Sequence, residues 1–190
     1  METKNIVLVG VGGQGTITAA KLLTTGLMEA GYDVKMSEIH GMSQRGGSVS
    51  SLVRYGDAVQ SPVIEIGSAD IVVAFEKLEG LRSLEYLKPT GKLVVNDTEI
   101  SPLSVVIGTS TYPDGILEEI KSKSDCRVMQ ASKMADDLGN NKVTNVILLG
   151  SVIKLMGLAE IDWESIISKN VKKQFIDLNI KALKAGMDAV

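Results

Sequence analysis

The sequence predicts an α/β fold of three layers, in which helices cover both faces of a mostly parallel sheet. Two observations lead to this prediction. Short apolar runs without alternation recur along the chain, as expected of parallel strands that are buried on both faces. Segments with the apolar spacing of helices lie between these runs, bounded by glycines and prolines. The chain has 190 residues, a length that fits one domain better than two.

The opening of the chain predicts a strand, a glycine loop, a helix and a second strand. The first strand is the apolar run Ile6–Val9, and the loop spans Gly10–Gly15. A helix should follow to about Ala30, where Gly31 is a suitable stop, and the second strand should cover Val34–Ile39. This order of elements begins a doubly wound, Rossmann-like fold.

An inserted β-hairpin is predicted next, because a glycine-containing turn separates two runs of β-prone residues. The runs are 49–55 and 58–61, and the turn between them is Gly56-Asp57. Pro62 should close the second strand, since proline cannot donate to a ladder.

The remainder of the body should alternate again. Predicted strands are 71–75, 93–95, 105–107 and 127–129. One predicted helix runs through Leu78, Leu81, Leu84 and Leu87 and is ended by Pro89 and Gly91. Another predicted helix covers 113–121. Residues 142–156 form a helix that is apolar nearly all round, which should be buried in the domain or, alternatively, against a partner. We interpret residues 1–190 as one domain, with an α/β body to residue 157 and a helical tail over 158–190.

The composition argues against several function classes. Lys and Arg number 20 and Asp and Glu 23, for a net charge of −3, and aromatic residues are only 4%, so no nucleic-acid partner is expected. The longest apolar stretch, 146–159, is too short to span a bilayer and no secretory leader is predicted. We therefore expect a cytoplasmic protein without a membrane partner.

The counts of cysteine and histidine limit the cofactors. With Cys126 and His40 alone, the chain can form no internal disulfide, and it cannot supply the four ligands typical of a structural zinc site or an iron–sulfur cluster. No metal ligands are predicted in this chain. Cys126 is interpreted as a small buried hydrophobic residue rather than a nucleophile.

The loop Gly10-Val11-Gly12-Gly13-Gln14-Gly15 has the G-x-G-x-x-G pattern between a strand and a helix. Glycines allow the sharp turn and a close approach of a ligand, while free N–H groups at the helix start favour an anion. Glu38, 23 positions after Gly15, stands about where a dinucleotide-binding protein has its acidic residue for the ribose.

The second motif is His40-Gly41-Met42-Ser43-Gln44-Arg45-Gly46-Gly47, which follows the second predicted strand. By itself it could be an exposed loop tip. However, loops after strands in open α/β sheets lie at the edge where ligands bind. Arg45 and the backbone of Gly46 and Gly47 could converge on one phosphate or carboxylate, and His40 could transfer a proton or donate a structural hydrogen bond.

Together these two motifs resemble the gamma domain of the 2-oxoacid:ferredoxin oxidoreductases. The resemblance runs from Asn5 to about Gly150. Further agreement comes from Val53-Arg54-Tyr55-Gly56, Ser61-Pro62, Ala69-Asp70, Phe75-Glu76 and Asn145 before Leu149-Gly150.

The resemblance implies an activity that needs more than this chain. A 2-oxoacid, such as an arylpyruvate like indolepyruvate, is decarboxylated on thiamine diphosphate; the acyl group passes to coenzyme A, and electrons leave through iron–sulfur clusters to ferredoxin. Here Gly56-Asp57-Ala58 is not the Gly-Asp-Gly motif that holds Mg²⁺ and the diphosphate, and the cysteines for a cluster are absent. The resemblance therefore implies that thiamine diphosphate, Mg²⁺ and the clusters reside on a larger alpha subunit, and that this chain alone is inactive.

In this interpretation the chain completes a site built mainly by its partner. His40 and Arg45 are the predicted catalytic residues. The loops that face the substrate, coenzyme A or the partner comprise Gly12, Gly13, Gln14, Gly15, Ser43, Gln44, Gly46, Gly47 and Asn145. Two other functions stay open: a free-standing NAD(P)-dependent oxidoreductase that uses the glycine loop and Glu38, and a non-catalytic module that senses a nucleotide. Whether the isolated chain forms a homodimer is also open.

Overall fold

The computed structural model describes residues 1–40 and 46–190, which form a six-stranded sheet with helices on both faces. The strands are β1 (Lys4–Val11), β2 (Asp33–His40), β3 (Ser48–Gly56), β4 (Ala69–Ala74), β5 (Leu87–Asn96) and β6 (Asp125–Met129). Their order across the sheet is β2-β3-β1-β4-β5-β6. β3 is antiparallel to both of its neighbours, and the other five strands point the same way. The predicted α/β class with a mostly parallel sheet is confirmed.

The helices divide between the two faces of the sheet. They are α1 (Thr16–Glu29), α2 (Lys77–Arg82), α3 (Leu103–Val106), α4 (Ile116–Lys123), α5 (Ala131–Asp137), α6 (Thr144–Leu155), α7 (Trp163–Asn170) and α8 (Ile176–Asp188). Alternate strand residues point to opposite faces: Ile6 and Leu8 contribute to the core under α1 and α5 to α8, whereas Val7 and Val9 contribute to the core under α2 and α4. None of the helices in the described residues combines the length and hydropathy that a membrane span requires.

The apolar helix α6 is covered by the chain itself. Residues 145–153 are all buried, and the principal neighbour of α6 is α8. Two glycines allow this approach: a Cβ on Gly186 would lie 1.8 Å from the Ile147 carbonyl oxygen, and one on Gly150 would lie 2.2 Å from that of Leu183. The core interpretation of this helix is confirmed.

The predicted hairpin is wrong in its second strand. β3 pairs with β2 on one side and with β1 on the other, and residues 58–61 form no strand. Side chains replace the ladder there: Asp33 accepts the Val59 N–H at 2.7 Å, and Arg54 donates to the carbonyls of Ser61 and Val63 at 2.9 and 3.0 Å. The hairpin of the sheet is instead β2–β3, so β3 separates β2 from β1.

Two other elements differ from the prediction. Residues 105–107 are not a strand but belong to the exposed turn of α3, because no neighbouring strand is available to bury them. The helix through Leu78 ends at Arg82; a 3₁₀ turn at Leu84–Tyr86 follows, and β5 begins at Leu87, so Pro89 and Gly91 lie inside a strand.

α5 and α7 were not predicted individually; α7 packs by Trp163 against Gly26 of α1, where a Cβ would lie 2.4 Å from the indole ring. Cys126 lies on β6 and is half-buried. Burial raises the pKa of its thiol to about 11, which agrees with an unreactive side chain.

Candidate functional site at the carboxyl edge of the sheet

Both sequence motifs lie at one edge of the sheet. β1 ends at Val11 and β2 at His40, and β3 begins at Ser48 at the same edge because it runs in the opposite direction. β4 and β5 also end there, at Ala74 and Asn96. This carboxyl edge is where open α/β sheets bind their ligands.

The glycine loop and the second motif are hydrogen-bonded to each other. The Gly12 N–H donates to the Gly47 carbonyl at 2.8 Å, and the Gly46 N–H approaches the Gly12 carbonyl at 3.5 Å. Gly46 has a φ of +77°, a conformation that favours glycine. The two motifs, about thirty residues apart in sequence, therefore form one surface.

Gln14 holds the glycine loop to the sheet. Its Oε1 accepts the Val11 N–H and its Nε2 donates to the Phe75 carbonyl, both at 2.8 Å, so the side chain links the ends of β1 and β4. Two N–H groups of the loop are paired within the chain: that of Gly12 donates to the Gly47 carbonyl, and that of Gln14 donates to the Val11 carbonyl. Among the described residues, the donors that remain for an anion are those of the first turn of α1, at the helix start where the sequence predicts them.

The first cavity of the site, of about 350 Å³, lies between the glycine loop and β2. His40 is exposed at its rim. Its lining comprises Gly12, Gly13, Gly15, Thr16, Ile17, Lys21, Glu38, His40 and Val49. The N-terminus of α1 and the Lys21 ammonium favour an anion in this space, and His40 adds a group that can donate or accept a proton.

The second cavity lies on the other side of the glycine loop and is larger, about 780 Å³. It extends from Gly13 and Gly15 to the start of α6 and carries the cations Lys142 and Lys172. Asn145 stands between the loop and α6: its Nδ2 approaches the Gly15 carbonyl at 3.4 Å. The residue is 7% exposed, and its buried Oδ1 has no hydrogen-bond partner among the described residues.

A third cavity, of about 220 Å³, connects the second motif to two buried carboxylates. Gly46 and Gly47 line it together with Glu76 and Glu79, which are 1% and 4% exposed. The Ser48 hydroxyl donates to Glu79 at 2.5 Å, and Arg82 donates to the other oxygen of this carboxylate at 2.7 Å.

Glu76 is bound by uncharged donors in the described part of the chain. It accepts the N–H of Glu79 at 3.0 Å and that of Ile100 at 3.3 Å, and the Tyr112 hydroxyl completes the set. Burial, the hydrogen bond to Glu76 and the nearby carboxylates raise the pKa of Tyr112 well above its usual range, so this hydroxyl stays protonated.

The structure thus brings together most of the predicted site residues. Gly12, Gly13, Gly15 and His40 share the first cavity, Asn145 lies beside Gly15, and Gly46 and Gly47 contact the loop. Ser43, Gln44 and Arg45 lie outside the described residues.

Sequence reasoning did not assign to the site the polar residues that follow two buried strands, although Phe75-Glu76 is among the residues that carry the family resemblance. Glu76 comes directly after the run that ends in Phe75, and Asn96 directly after Leu93-Val94-Val95. Asn96 is fully buried and binds the Phe75 carbonyl at 3.2 Å and the Ser132 hydroxyl at 2.9 Å. A polar residue at the end of an apolar strand was the signal that could have found both. Nothing in the sequence indicated Tyr112.

Comparison with known proteins decides the family. The family profile described as pyruvate ferredoxin/flavodoxin oxidoreductase matches residues 5–189. The chain belongs to this family. Its relatives include the indolepyruvate oxidoreductase subunit IorB of Pyrococcus horikoshii, 40% identical over all of this chain and 96% of that protein, and IorB of Archaeoglobus fulgidus, 40% identical over 96% and 92%.

Solved structures of the family share the fold. Pyruvate oxidoreductase subunit PORC of Thermotoga maritima matches with a TM-score of 0.76 at 23% identity, covering 99% of this chain and 97% of that one. The 2-oxoglutarate:ferredoxin oxidoreductase of Magnetococcus marinus, solved with coenzyme A bound, matches with a TM-score of 0.77 at 18% identity, over all of this chain and 31% of that one.

Within residues 1–40 and 46–190, no group of three or more His, Cys, Asp and Glu side chains is placed to hold a metal ion.

Proposed function

We propose that the chain is the IorB-type subunit of a cytoplasmic, ferredoxin-dependent indolepyruvate oxidoreductase. In this complex an arylpyruvate undergoes oxidative decarboxylation with transfer of the acyl group to coenzyme A. The support from relatives is their full-length similarity and their names. The support from the fold is the single hydrogen-bonded surface that the two motifs form, through the Gly12 N–H and the Gly47 carbonyl.

The cofactors belong to the partner in this proposal. Thiamine diphosphate with Mg²⁺ supplies the decarboxylation chemistry, and iron–sulfur clusters pass the electrons to ferredoxin. The single cysteine and the lack of a Gly-Asp-Gly sequence make this chain unsuited to hold them. The partner is a larger alpha subunit, which would cover the carboxyl edge.

The chain's own residues would bind and orient an anion. The first turn of α1 and Lys21 offer positive potential in the 350 Å³ cavity, for a phosphate of coenzyme A or a carboxylate of the 2-oxoacid. Arg45 directly precedes Gly46, whose N–H faces the Gly12 carbonyl, and its guanidinium would add a bidentate contact. His40 would orient the bound group or transfer a proton.

Gln14 and Asn145 would hold the backbone beside this cavity in place. Gln14 fixes the loop against β4, and Asn145 lies against Gly15, where a Cβ would come within 2.8 Å of its Nδ2. Their role is positioning, because their polar atoms contact the backbone of the chain itself.

Reconstitution tests the proposal. The chain is co-expressed with the large-subunit reading frame of the same organism, purified through a tag on the large subunit, and assayed with indolepyruvate, coenzyme A and ferredoxin. We expect both subunits to co-purify, and ferredoxin reduction to require thiamine diphosphate, coenzyme A and both chains. Full activity of the large subunit alone, or failure of the two chains to associate, would contradict the proposal.

One observation favours a second function, the binding of NAD(P). Glu38 lines the same cavity as the glycine loop, as a ribose-binding carboxylate would. One feature argues against this function: in a dinucleotide-binding fold the second strand lies directly beside the first, whereas here β3 lies between β1 and β2. Calorimetry with NAD⁺, NADH, NADP⁺ and NADPH separates the two functions: micromolar binding to the isolated chain would favour the dinucleotide, and no heat of binding is expected here.

A further inference from the structure

The segment between β5 and α4 projects large aliphatic side chains into solvent. We term residues 97–114 the arm; α3 lies in it. Leu103, Val106 and Ile107 are 71%, 69% and 63% exposed, although such residues are usually buried. They lie within two helical turns of one another, so they form one apolar tip rather than scattered contacts.

The arm has a defined shape of its own. The Ser104 carbonyl accepts the N–H groups of Thr109 and Ser110 at 2.8 and 3.1 Å, and the Thr109 hydroxyl at 3.0 Å. The Ile107 N–H donates to the Leu103 carbonyl at 2.9 Å. These local hydrogen bonds keep the tip folded, although its exposed side chains belong to neither core.

Both ends of the arm are tied to the candidate site. Glu76 accepts the Ile100 N–H at one end and the Tyr112 hydroxyl at the other. Ile100 and Pro102 also line the 220 Å³ cavity with Gly46 and Gly47. A protein that covers the carboxyl edge would therefore meet the arm at the same time.

The charge around the tip is one-sided. Residues 93–120 contain five carboxylates and no Lys, Arg or His. Lys77 faces them, 3.9 Å from Asp97 and 3.3 Å from Glu99, and its ammonium lies 5.9 Å from the centre of the Tyr112 ring. Arg82 lines the 220 Å³ cavity with Ile100 and Pro102, but its guanidinium is paired with Glu79. Asp114 and Glu118 are exposed. Two copies of this chain would bring like charges together, which disfavours self-association through the arm.

We propose that the arm is the anchor by which this chain docks on the large subunit, with Leu103, Val106 and Ile107 in an apolar depression that is rimmed by Lys and Arg. The inference rests on the proposed function, because that function supplies the partner. Glu76 binds both ends of the arm and lines the cavity beside Gly46 and Gly47. Docking of the arm would therefore be coupled to binding of the large subunit over the glycine loop.

Paired variants of the co-expressed complex test the anchor. The variant V106S/I107S replaces two apolar side chains of the tip by polar ones. Its matched control is V63S/I66S, because Val63 and Ile66 are 62% and 68% exposed in the loop before β4, near the opposite edge of the sheet. Dissociation on dilution is followed by fluorescence-detected sedimentation with a label on this chain. We expect the arm variant to weaken association at least about tenfold, the control less than twofold, and 0.5 M NaCl to weaken the wild-type complex several-fold.

The outcomes separate the anchor from the proposed function. If the wild-type complex oxidises indolepyruvate and V106S/I107S dissociates no more readily than V63S/I66S, the anchor is wrong and the proposed function stands. If the wild-type chains do not associate, both are wrong. If the tip mediates pairing of this chain with itself, which sedimentation of the chain alone would reveal, the anchor on the large subunit is overturned.

Discussion

One carboxylate at each edge of the sheet, Asp70 and Glu76, is compensated in a different way. At the amino edge, Asp70 accepts the Asn5 N–H at 2.8 Å and pairs with the ammonium groups of Lys4 and Lys88. At the carboxyl edge, Glu76 is more deeply buried but is bound by uncharged donors in the described residues. A charge with an oppositely charged partner stabilises the folded protein, whereas buried groups whose charge is incompletely compensated are typical of binding and catalytic sites. We therefore propose that Asp70 serves the stability of the fold and that the surroundings of Glu76 serve its function.

Alanine at the two ends of α1 should give the largest contrast. Gly15 and Gly31 both have positive φ, +83° and +89°, but a Cβ at Gly15 would lie 2.8 Å from Asn145 Nδ2 whereas Gly31 has open space. We expect Gly31→Ala to lower the free energy of unfolding by about 1 kcal/mol and Gly15→Ala by about 3 kcal/mol. Urea denaturation measures both, and equal losses would contradict the close contact at the carboxyl edge.

Asp70→Asn should show that the amino edge stabilises the fold in a pH-dependent way. Burial alone would raise the Asp70 pKa, but Lys88, the Asn5 N–H and Lys4 outweigh it and hold the pKa below 3.8. The ionised form therefore stabilises the fold above pH 3.8, and this contribution is lost as the pH falls through the folded pKa.

The measurement is thermal unfolding of wild type and Asp70→Asn at several pH values. We expect the variant to be about 2 kcal/mol less stable at pH 7, with the difference shrinking below pH 4. A difference that is constant from pH 7 to pH 3 would show that the loss comes from packing and not from the charge.

Tyr112→Phe tests the corresponding contact at the carboxyl edge. It removes the hydroxyl that donates to Glu76 and retains the ring beside Lys77. We expect a loss of about 1 kcal/mol, smaller than at Asp70 because a neutral donor is lost. Hydrogen exchange should quicken at residues 100–112, and unchanged protection there would argue against a tether of the arm at Glu76.

The smallest effect is expected from alkylation of Cys126 near the amino edge. With a thiol pKa of about 11, the thiolate fraction at pH 8 is about 100-fold below that of an ordinary cysteine. Iodoacetamide should therefore label the folded chain about 100-fold more slowly than the urea-unfolded chain, without changing the activity of the complex. Rapid labelling that abolishes activity would contradict this expectation, because it would place a functional residue near the amino edge.

The sequence was sufficient for the elements that local patterns specify. Unbroken apolar runs located β1, β4 and the centre of β5, and the glycine pattern located the loop before α1. The predicted family is confirmed by the profile match. Long-range pairing was not predictable: nothing local shows that β3 enters between β1 and β2, and the β-prone residues 58–61 are held by Asp33 and Arg54 instead of a ladder.

The site was predicted where one motif supplied it and missed where distant segments meet. Gly15 and Asn145 were expected from motifs and are in contact in the structure. Tyr112 was not expected, because its role depends on the path of the arm back to Glu76, which is 36 residues earlier. Packing of this kind depends on the whole chain and leaves no local pattern.

The most direct test of a functional carboxyl edge is a pair of arginine replacements, one in each region, in the reconstituted complex. Arg45 follows β2 in the second motif, whereas Arg54 donates to Asn5, Ser61 and Val63 toward the amino edge. We expect Arg45→Ala to lower kcat/KM for ferredoxin reduction at least about tenfold with an unchanged Tm, and Arg54→Ala to lower the Tm with kcat/KM retained. An Arg45→Ala complex that assembles and turns over like wild type would contradict the account.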